Sequence, residues 1–250
     1  MERIINYPLS IINYIKKHGF EQFAPKAVLF DMDGVLYDSM PHHAIAWQQS
    51  MNHFGIHMTE ADAYATEGAR GIDTIRNMVR QQQGEEITLE RAQEMYDEKT
   101  RLFHAMGEAR VMPGVRELMA KMHRQGLHIG VVTGSGQRPL INRLMTDFAD
   151  YLDERHIVTA YDVQRGKPNP DPYLMGLQKI GGLQPWEAIV IENAPLGVKA
   201  GATARIFTIA VNTGPLPDHI LLDAGADLLF PNMPALAEAW PTVLTRIAIV

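Results

Sequence analysis

Two carboxylates spaced i and i+2, Asp31 and Asp33, stand where a run of apolar, β-prone residues stops: Ala27-Val28-Leu29-Phe30-Asp31-Met32-Asp33-Gly34-Val35-Leu36. Paired acids can attack an electrophile, move protons or hold a cation, and the pair alone does not choose among these. Gly34 then breaks the pattern. The stretch reads as a buried strand with acids at its tip. In an open parallel α/β sheet the carboxyl ends of the strands line the ligand crevice, so chemistry is expected where this strand ends.

Three later stretches offer partners. Val131-Val132-Thr133-Gly134-Ser135-Gly136 ends an apolar strand in a hydroxyl and a run of backbone N–H groups, which suits an anion. Turns after strands also carry Gly and Ser for backbone reasons alone. Gly166-Lys167-Pro168-Asn169-Pro170 places a lysine in a loop, where a solvated ammonium is the ordinary outcome. Ile189-Val190-Ile191-Glu192-Asn193 ends a second buried strand in an acid and an amide, which could also cap the helix that Pro195 begins.

The elements that must position these residues alternate along the chain. Helix Val115 to Gln125, strand His128 to Thr133, helix Arg138 to Phe148 and strand Ile157 to Tyr161 follow the Pro113-Gly114 turn. A helix near Pro172 to Ile180, strand Ala188 to Ile191, helix Pro195 to Ala200, strands Ile206 to Val211 and Asp227 to Leu229, and a helix after Pro234 complete the pattern. Such alternation predicts an α/β fold, a Rossmann-like parallel sheet with right-handed crossovers. From about Ser39 to Gly107 the composition is helical throughout, so a small helical bundle is expected over the first strand's tip.

Taken in order, a nucleophilic carboxylate, a hydroxyl, a lysine and an acid/amide pair at successive strand ends resemble the four motifs of the haloacid dehalogenase-like (HAD) phosphotransferases. The resemblance runs from about Ala27 to Phe230, and Asp-Met-Asp-Gly-Val-Leu is its most specific part. The helical insertion and Asn193-Ala194-Pro195-Leu196-Gly197-Val198 resemble the β-phosphoglucomutase branch, and within it most a bacterial inorganic pyrophosphatase member. The resemblance implies an N-terminal extension at 1–26, a core at 27–37 and 108–250, and a cap at 38–107.

It also implies roles. Asp31 attacks phosphorus and becomes an aspartyl phosphate, while Asp33 protonates the leaving group and then deprotonates the hydrolytic water. Thr133 and the Gly134 N–H hold the transferring phosphoryl group, with Ser135 beside them, and Lys167 balances its charge. Mg2+ sits on Asp31, the Asp33 carbonyl and Asn193, with Glu192 acting through water. The expected substrate is inorganic pyrophosphate, with β-phosphoglucomutase chemistry or a small phosphate ester as the alternatives.

Two departures bear on substrate. Relatives carry Glu-Asp where this chain has Glu192-Asn193, which removes a negative charge from the metal site. In the cap stretch Thr66-Glu67-Gly68-Ala69-Arg70-Gly71, Glu67 precedes the glycine and Gly71 falls where an arginine is expected. A carboxylate there repels a distal phosphate unless a metal or proton intervenes. Glu67 is therefore either a selector against sugar bisphosphates or a ligand to metal-bound pyrophosphate; otherwise it is a surface residue, with Arg70 making the phosphate contact. His43 sits where the branch keeps a histidine near the hinge, able to relay cap closure to Asp33.

With 250 residues the chain can bury a large core, and its net charge of −6 argues against a nucleic-acid scaffold. The absence of cysteine excludes disulfides, zinc–thiolate sites and cysteine nucleophiles, and fits a reducing cytoplasm. No apolar run approaches the roughly 18 residues of a membrane span. Ile4, Ile11, Ile12 and Ile15 fit one face of a helix, so an amphipathic helix is expected there rather than a secretory signal. A monomer or weak homo-oligomer is expected.

Overall fold

The protein is described from a computed structural model covering residues 7–135, 138–243 and 247–248; Ile4 and Gly136 lie outside the described residues. The chain opens with α1 (Tyr7–His18), the two-residue β1 (Gln22–Phe23) and β2 (Ala27–Phe30). Four helices follow: α2 (Met40–His53), α3 (Glu60–Ala65), α4 (Gly71–Gln83) and α5 (Leu89–Ala105). Alternation then resumes with α6 (Val115–Arg124), β3 (His128–Val132), α7 (Arg138–Asp147), β4 (Leu152–Val158), α8 (Asp171–Lys179), β5 (Ala188–Glu192) and α9 (Pro195–Thr203). The chain ends with β6 (Phe207–Val211), α10 (Asp218–Asp223), β7 (Leu228–Phe230), α11 (Met233–Val243) and β8 (Ile247–Ala248).

Six of these strands form one parallel sheet in the order β4-β3-β2-β5-β6-β7. All four residues of β2 are buried, as a central parallel strand covered on both faces requires. Register levels the strand ends: Phe30 lies beside Val131 of β3 and Ile191 of β5, so Asp31, Thr133 and Glu192 emerge together. The Asp31 N–H extends the ladder by donating to the Ile191 carbonyl at 3.0 Å.

The structure differs from the sequence-based expectation in the position of β4, in a small second sheet and in α10, a helix not expected between β6 and β7. The strand expected at Ile157 to Tyr161 runs instead from Leu152 to Val158. It is an edge strand whose middle residues, Asp153 to His156, are polar and face solvent, so no apolar run marks its start. Beyond Val158 the chain turns, with the Asp162 carboxylate accepting from the Thr159 N–H and hydroxyl at 2.7 and 2.8 Å. The second difference is a two-stranded antiparallel sheet of β1 and β8, too short to leave a periodic signature.

Helices α2 to α5 bury an apolar cluster of their own, including Trp47, Met51, Ile75 and Met95, separate from the clusters around the sheet. We refer to this bundle as the cap. Local chemistry delimits its helices. Thr59 accepts from the Asp62 N–H at 3.1 Å while Asp62 accepts from the Thr59 N–H at 2.8 Å, a reciprocal box that starts α3. Gly84 ends α4 in the left-handed conformation, and Thr88 starts α5 by accepting from the Arg91 N–H.

At the N-terminus, α1 buries Ile11, Tyr14 and Ile15 against the core, in line with the expected amphipathic helix. The Tyr14 hydroxyl donates to the Arg205 carbonyl at 2.8 Å. No helix among the described residues is long and apolar enough to cross a membrane.

Candidate active site

Asp31 stands at the tip of β2, 4% exposed. Its Oδ1 accepts from the Lys167 ammonium at 2.5 Å, and no hydrogen bond from the described residues reaches Oδ2. Lys167 is also buried and donates to the Val132 carbonyl at 3.1 Å and to Glu192 Oε1 at 2.7 Å. The solvated loop lysine that the sequence allowed is thus a buried cation between two carboxylates. Burial is the largest influence on both groups. It pushes the Asp31 carboxyl well up, with Glu192 and Asp33 adding to the rise and Lys167 opposing it. For Lys167 burial acts downward, but Asp31 and Glu192 outweigh it and hold the ammonium firmly charged.

Glu192 is completely buried, and its oxygens are engaged away from the cleft. Oε1 accepts from Lys167 and from the Tyr173 hydroxyl at 2.7 Å; Oε2 accepts from the Asn193 and Ala194 N–H groups at 3.0 and 3.2 Å. It therefore both steadies Lys167 and terminates the approach to α9. As for the helix-cap reading of this acid, the turn before α9 is braced by it, but it does not cap the helix, whose first residue follows Ala194. Tyr173 was not singled out by the sequence, because nothing in its local pattern separates it from an ordinary core aromatic.

Asp33 lies two residues on, in a turn where Gly34 takes φ +82°. A side chain at Gly34 would meet Asn193 Nδ2 at 2.1 Å, so this glycine is required twice over. Asp33 Oδ1 accepts from the Ser39 hydroxyl at 2.6 Å and lies 3.2 Å from His43 Nε2. Burial pushes the Asp33 carboxyl up, but the His43 ring, hydrogen bonds from His43 and Ser39, and the Lys99 charge prevail and leave it below its ordinary value. The two acids are thus driven in opposite directions by their surroundings: Asp33 is held in its charged form, whereas Asp31 is drawn toward its charged form by Lys167 against burial and its acidic neighbours.

Lys99 comes from α5 in the cap and was missed by the sequence reading. It is 5% exposed, its Nζ lies 2.7 Å from His43 Nδ1, and it packs over the Trp47 and Phe103 rings. A charged Lys99 can only donate, which makes Nδ1 the acceptor and leaves the proton of a neutral His43 on Nε2, facing Asp33. The overlooked signal is positional. Ala92, Met95, Lys99 and Phe103 form the buried stripe of α5, and a lysine in such a stripe needs a partner. Burial brings its ammonium down to about 8, against the upward pull of Glu67 and Asp33. Lys99 is charged below that pH and neutral above it. An alkaline fall in kcat/KM centred near pH 8 is therefore expected for the native protein and not for Lys99→Met, which is slower below pH 8; an unchanged alkaline limb in the variant would remove this role.

The cap closes over these residues to leave a chamber of about 50 Å³. Of the residues singled out in the sequence, Asp31, Asp33, His43, Glu67, Thr133, Gly134 and Ser135 all line it. The Thr133 oxygen accepts from the Ser135 N–H at 3.0 Å, which leaves its proton available to a ligand. Glu67 is half-buried, and burial raises its carboxyl, with Asp33 adding and His43 and Lys99 opposing. Gly68, at φ +84°, brings the cap so close that an added Cβ would lie 3.1 Å from the Lys167 side chain. Arg70 is not in the chamber but on the outer side of this contact. Nor can an arginine replace Gly71 without displacement, because Tyr96 occupies the space 2.0 Å from where its Cβ would be.

The donors suit a hard divalent cation. The buried Asn193 Oδ1 has no partner among the described residues, and Asp31 Oδ2 is similarly unengaged. Four carboxylates, Asp31, Asp33, Glu67 and Glu192, face two ammonium groups, Lys167 and Lys99, an excess of negative charge that a cation would offset. No set of three or more His, Asp or Glu side chains with metal-binding geometry occurs among the described residues. The donor set is instead mixed: one carboxylate, one amide oxygen and the backbone between them.

Comparison with known proteins agrees with this arrangement. The family model for haloacid dehalogenase-like hydrolases matches residues 28–211. Hexitol phosphatase A of Escherichia coli is 34% identical over 75% of this chain and 83% of its own. The β-phosphoglucomutase of Bacillus subtilis is 26% identical over 76% and 84%. A solved structure from Bacteroides vulgatus, provisionally described as a β-phosphoglucomutase, superposes with a TM-score of 0.91 at 48% identity, covering 95% of this chain and 96% of that one. With its sheet order, its four strand-end motifs and its helical cap, the chain belongs to the haloacid dehalogenase-like hydrolases, as an enzyme of the phosphatase and phosphomutase kind.

Proposed function

We propose that the protein is a magnesium-dependent phosphohydrolase that works through an aspartyl phosphate on Asp31 and prefers inorganic pyrophosphate. The observation that carries the substrate is the cap wall of the chamber. It presents Glu67 and the buried Lys99 and keeps no arginine at position 71, so it offers no guanidinium to the distal phosphate of a hexose bisphosphate.

The residues divide the work as follows. Asp31 Oδ2, unengaged and level with Thr133, attacks phosphorus while Oδ1 stays anchored on Lys167. The Thr133 hydroxyl and the Gly134 N–H receive the transferring oxygens, and Lys167 balances the charge that builds between them and Asp31. Asp33 starts ionised, held by Ser39 and His43; it takes the His43 Nε2 proton as the Lys99 ammonium passes one to Nδ1, and hands it to the leaving phosphate. It then takes one from the water that opens the acyl phosphate, regenerating the Asp31 carboxylate. Asp31, the Asp33 carbonyl and Asn193 would hold Mg2+, which would supply charge neutralisation of the phosphoryl oxygens. Glu192 acts on this site through Lys167. Glu67 is a ligand to the metal complex of pyrophosphate, a role that a carboxylate can fill and a cation cannot.

A second reading, hydrolysis of a phosphorylated sugar, is favoured by the hexitol phosphatase relative at 34% identity. Glu67→Ala separates the two. Under the pyrophosphate reading, kcat/KM for pyrophosphate falls about 10²-fold. That for p-nitrophenyl phosphate, which has no distal phosphate, changes little. An equal response of both substrates would make Glu67 structural.

A further inference from the structure

A second basic groove lies outside the chamber, along the seam where the cap meets the core. Its cap wall is one face of α4, with Arg70 as the residue before the helix and Arg76 and Arg80 four apart along it. Its core wall is the loop Arg165 to Asn169. The groove is open to solvent along one side and has space of about 460 Å³. Gly166 allows the two walls to meet: a Cβ there would lie 3.1 Å from Arg70 Cγ. The Arg70 Nη1 already crosses the seam, donating to the Gln164 carbonyl at 3.2 Å.

Four guanidinium groups converging on one groove are unusual in a chain of net charge −6. Asp73 is the acid that lines the groove with them. The other carboxylates paired with these arginines, Glu86 and Asp171, are not among its lining residues. Glu86 engages Arg76 through Nη2 and Arg80 through Nε, so further N–H groups of both remain without a hydrogen-bond partner among the described residues. Arg76 Nε is buried and unpartnered. Exposed pairs of this kind are worth at most about 1 kcal/mol each, so a ligand with several negative oxygens can displace or share them.

We propose that this groove is a second anion site, for a chain of linked phosphoryl groups longer than pyrophosphate, and that such an anion ties the cap to the core. Arginine forks match phosphoryl oxygens in pairs, and four arginines along the two walls, Arg70, Arg76, Arg80 and Arg165, offer more forks than a single phosphate can fill. Because one wall belongs to the cap, a bound anion resists cap opening. Product release slows while the chamber chemistry is untouched, and the effect falls on kcat. Inorganic triphosphate and a nucleoside triphosphate share the recognised chemistry.

The test is calorimetric titration of Asp31→Asn protein with inorganic triphosphate, beside the same protein carrying Arg76→Ala and Arg80→Ala. The groove event is expected to weaken by at least about tenfold in the second protein. Any chamber event persists there and shows that the variant is folded. Unchanged binding in the second protein would overturn the site. ATP in place of inorganic triphosphate separates the sources: equal affinity shows that only the phosphate chain is read, and tighter binding shows that the nucleoside is read as well. In the native enzyme, saturating triphosphate lowers kcat for p-nitrophenyl phosphate, and an unchanged kcat would overturn the tie between cap and core. Arg76 and Arg80 lie outside the chamber, so failure of the pyrophosphate assignment leaves the groove result intact.

Discussion

Asp31→Asn is expected to abolish turnover, by about 10⁴-fold or more, while the protein stays folded and melts no lower than the native form. The loss follows because an amide oxygen is a poor nucleophile and cannot form the acyl phosphate. The retained stability follows from the site's charge. Asp31 is buried beside Glu192 and Asp33, and burial already raises its carboxyl well above the ordinary range. An amide of the same size removes one of these mutually repelling acids and still accepts from Lys167 at Oδ1. Function and stability pull in opposite directions at such a residue. Turnover measured with circular dichroism melting checks both halves. Surviving activity would remove Asp31 as nucleophile; a large drop in Tm would show that its carboxylate is structural.

Lys167→Met should have the opposite stability signature. Its ammonium makes three hydrogen bonds, to Asp31, Glu192 and the Val132 carbonyl, and lies 1% exposed by its side chain. Without it two buried carboxylates face each other with no cation between them, which costs about 3–5 kcal/mol by the usual scale for breaking a buried pair. Tm should fall by about 10 °C for a chain of this size, and catalysis by at least about 10²-fold. The deficit depends on pH. In the variant the acids take up protons more readily in the folded state than in the unfolded one, so stability is regained as pH falls and lost as pH rises. A Tm difference that stayed constant between pH 5 and pH 8 would contradict this account.

How much of this was legible depended on whether a residue announced itself locally. The central strand, its paired acids and the strand-end residues Thr133 and Glu192 could be read because a buried parallel strand is a continuous apolar run that stops abruptly. The edge strand Leu152–Val158 could not, since its exposed middle is polar. Lys167 looked like a loop residue, and only the fold showed it enclosed by two acids. Lys99 and Tyr173 lie far along the chain from the acids they serve, and each reads as part of a helix. The family resemblance named the family and pointed to residues that the fold brings together, but the reason for Gly71 required seeing Tyr96 in its space.

The substrate reading rests on an acid, not an arginine, on the cap wall of the chamber. It is tested most directly by measuring kcat/KM of the native enzyme with Mg2+ for pyrophosphate and for β-glucose 1-phosphate, the latter with a bisphosphate primer. The account predicts that pyrophosphate is preferred by about 10²-fold or more. Equal rates, or faster turnover of the sugar phosphate, would contradict it.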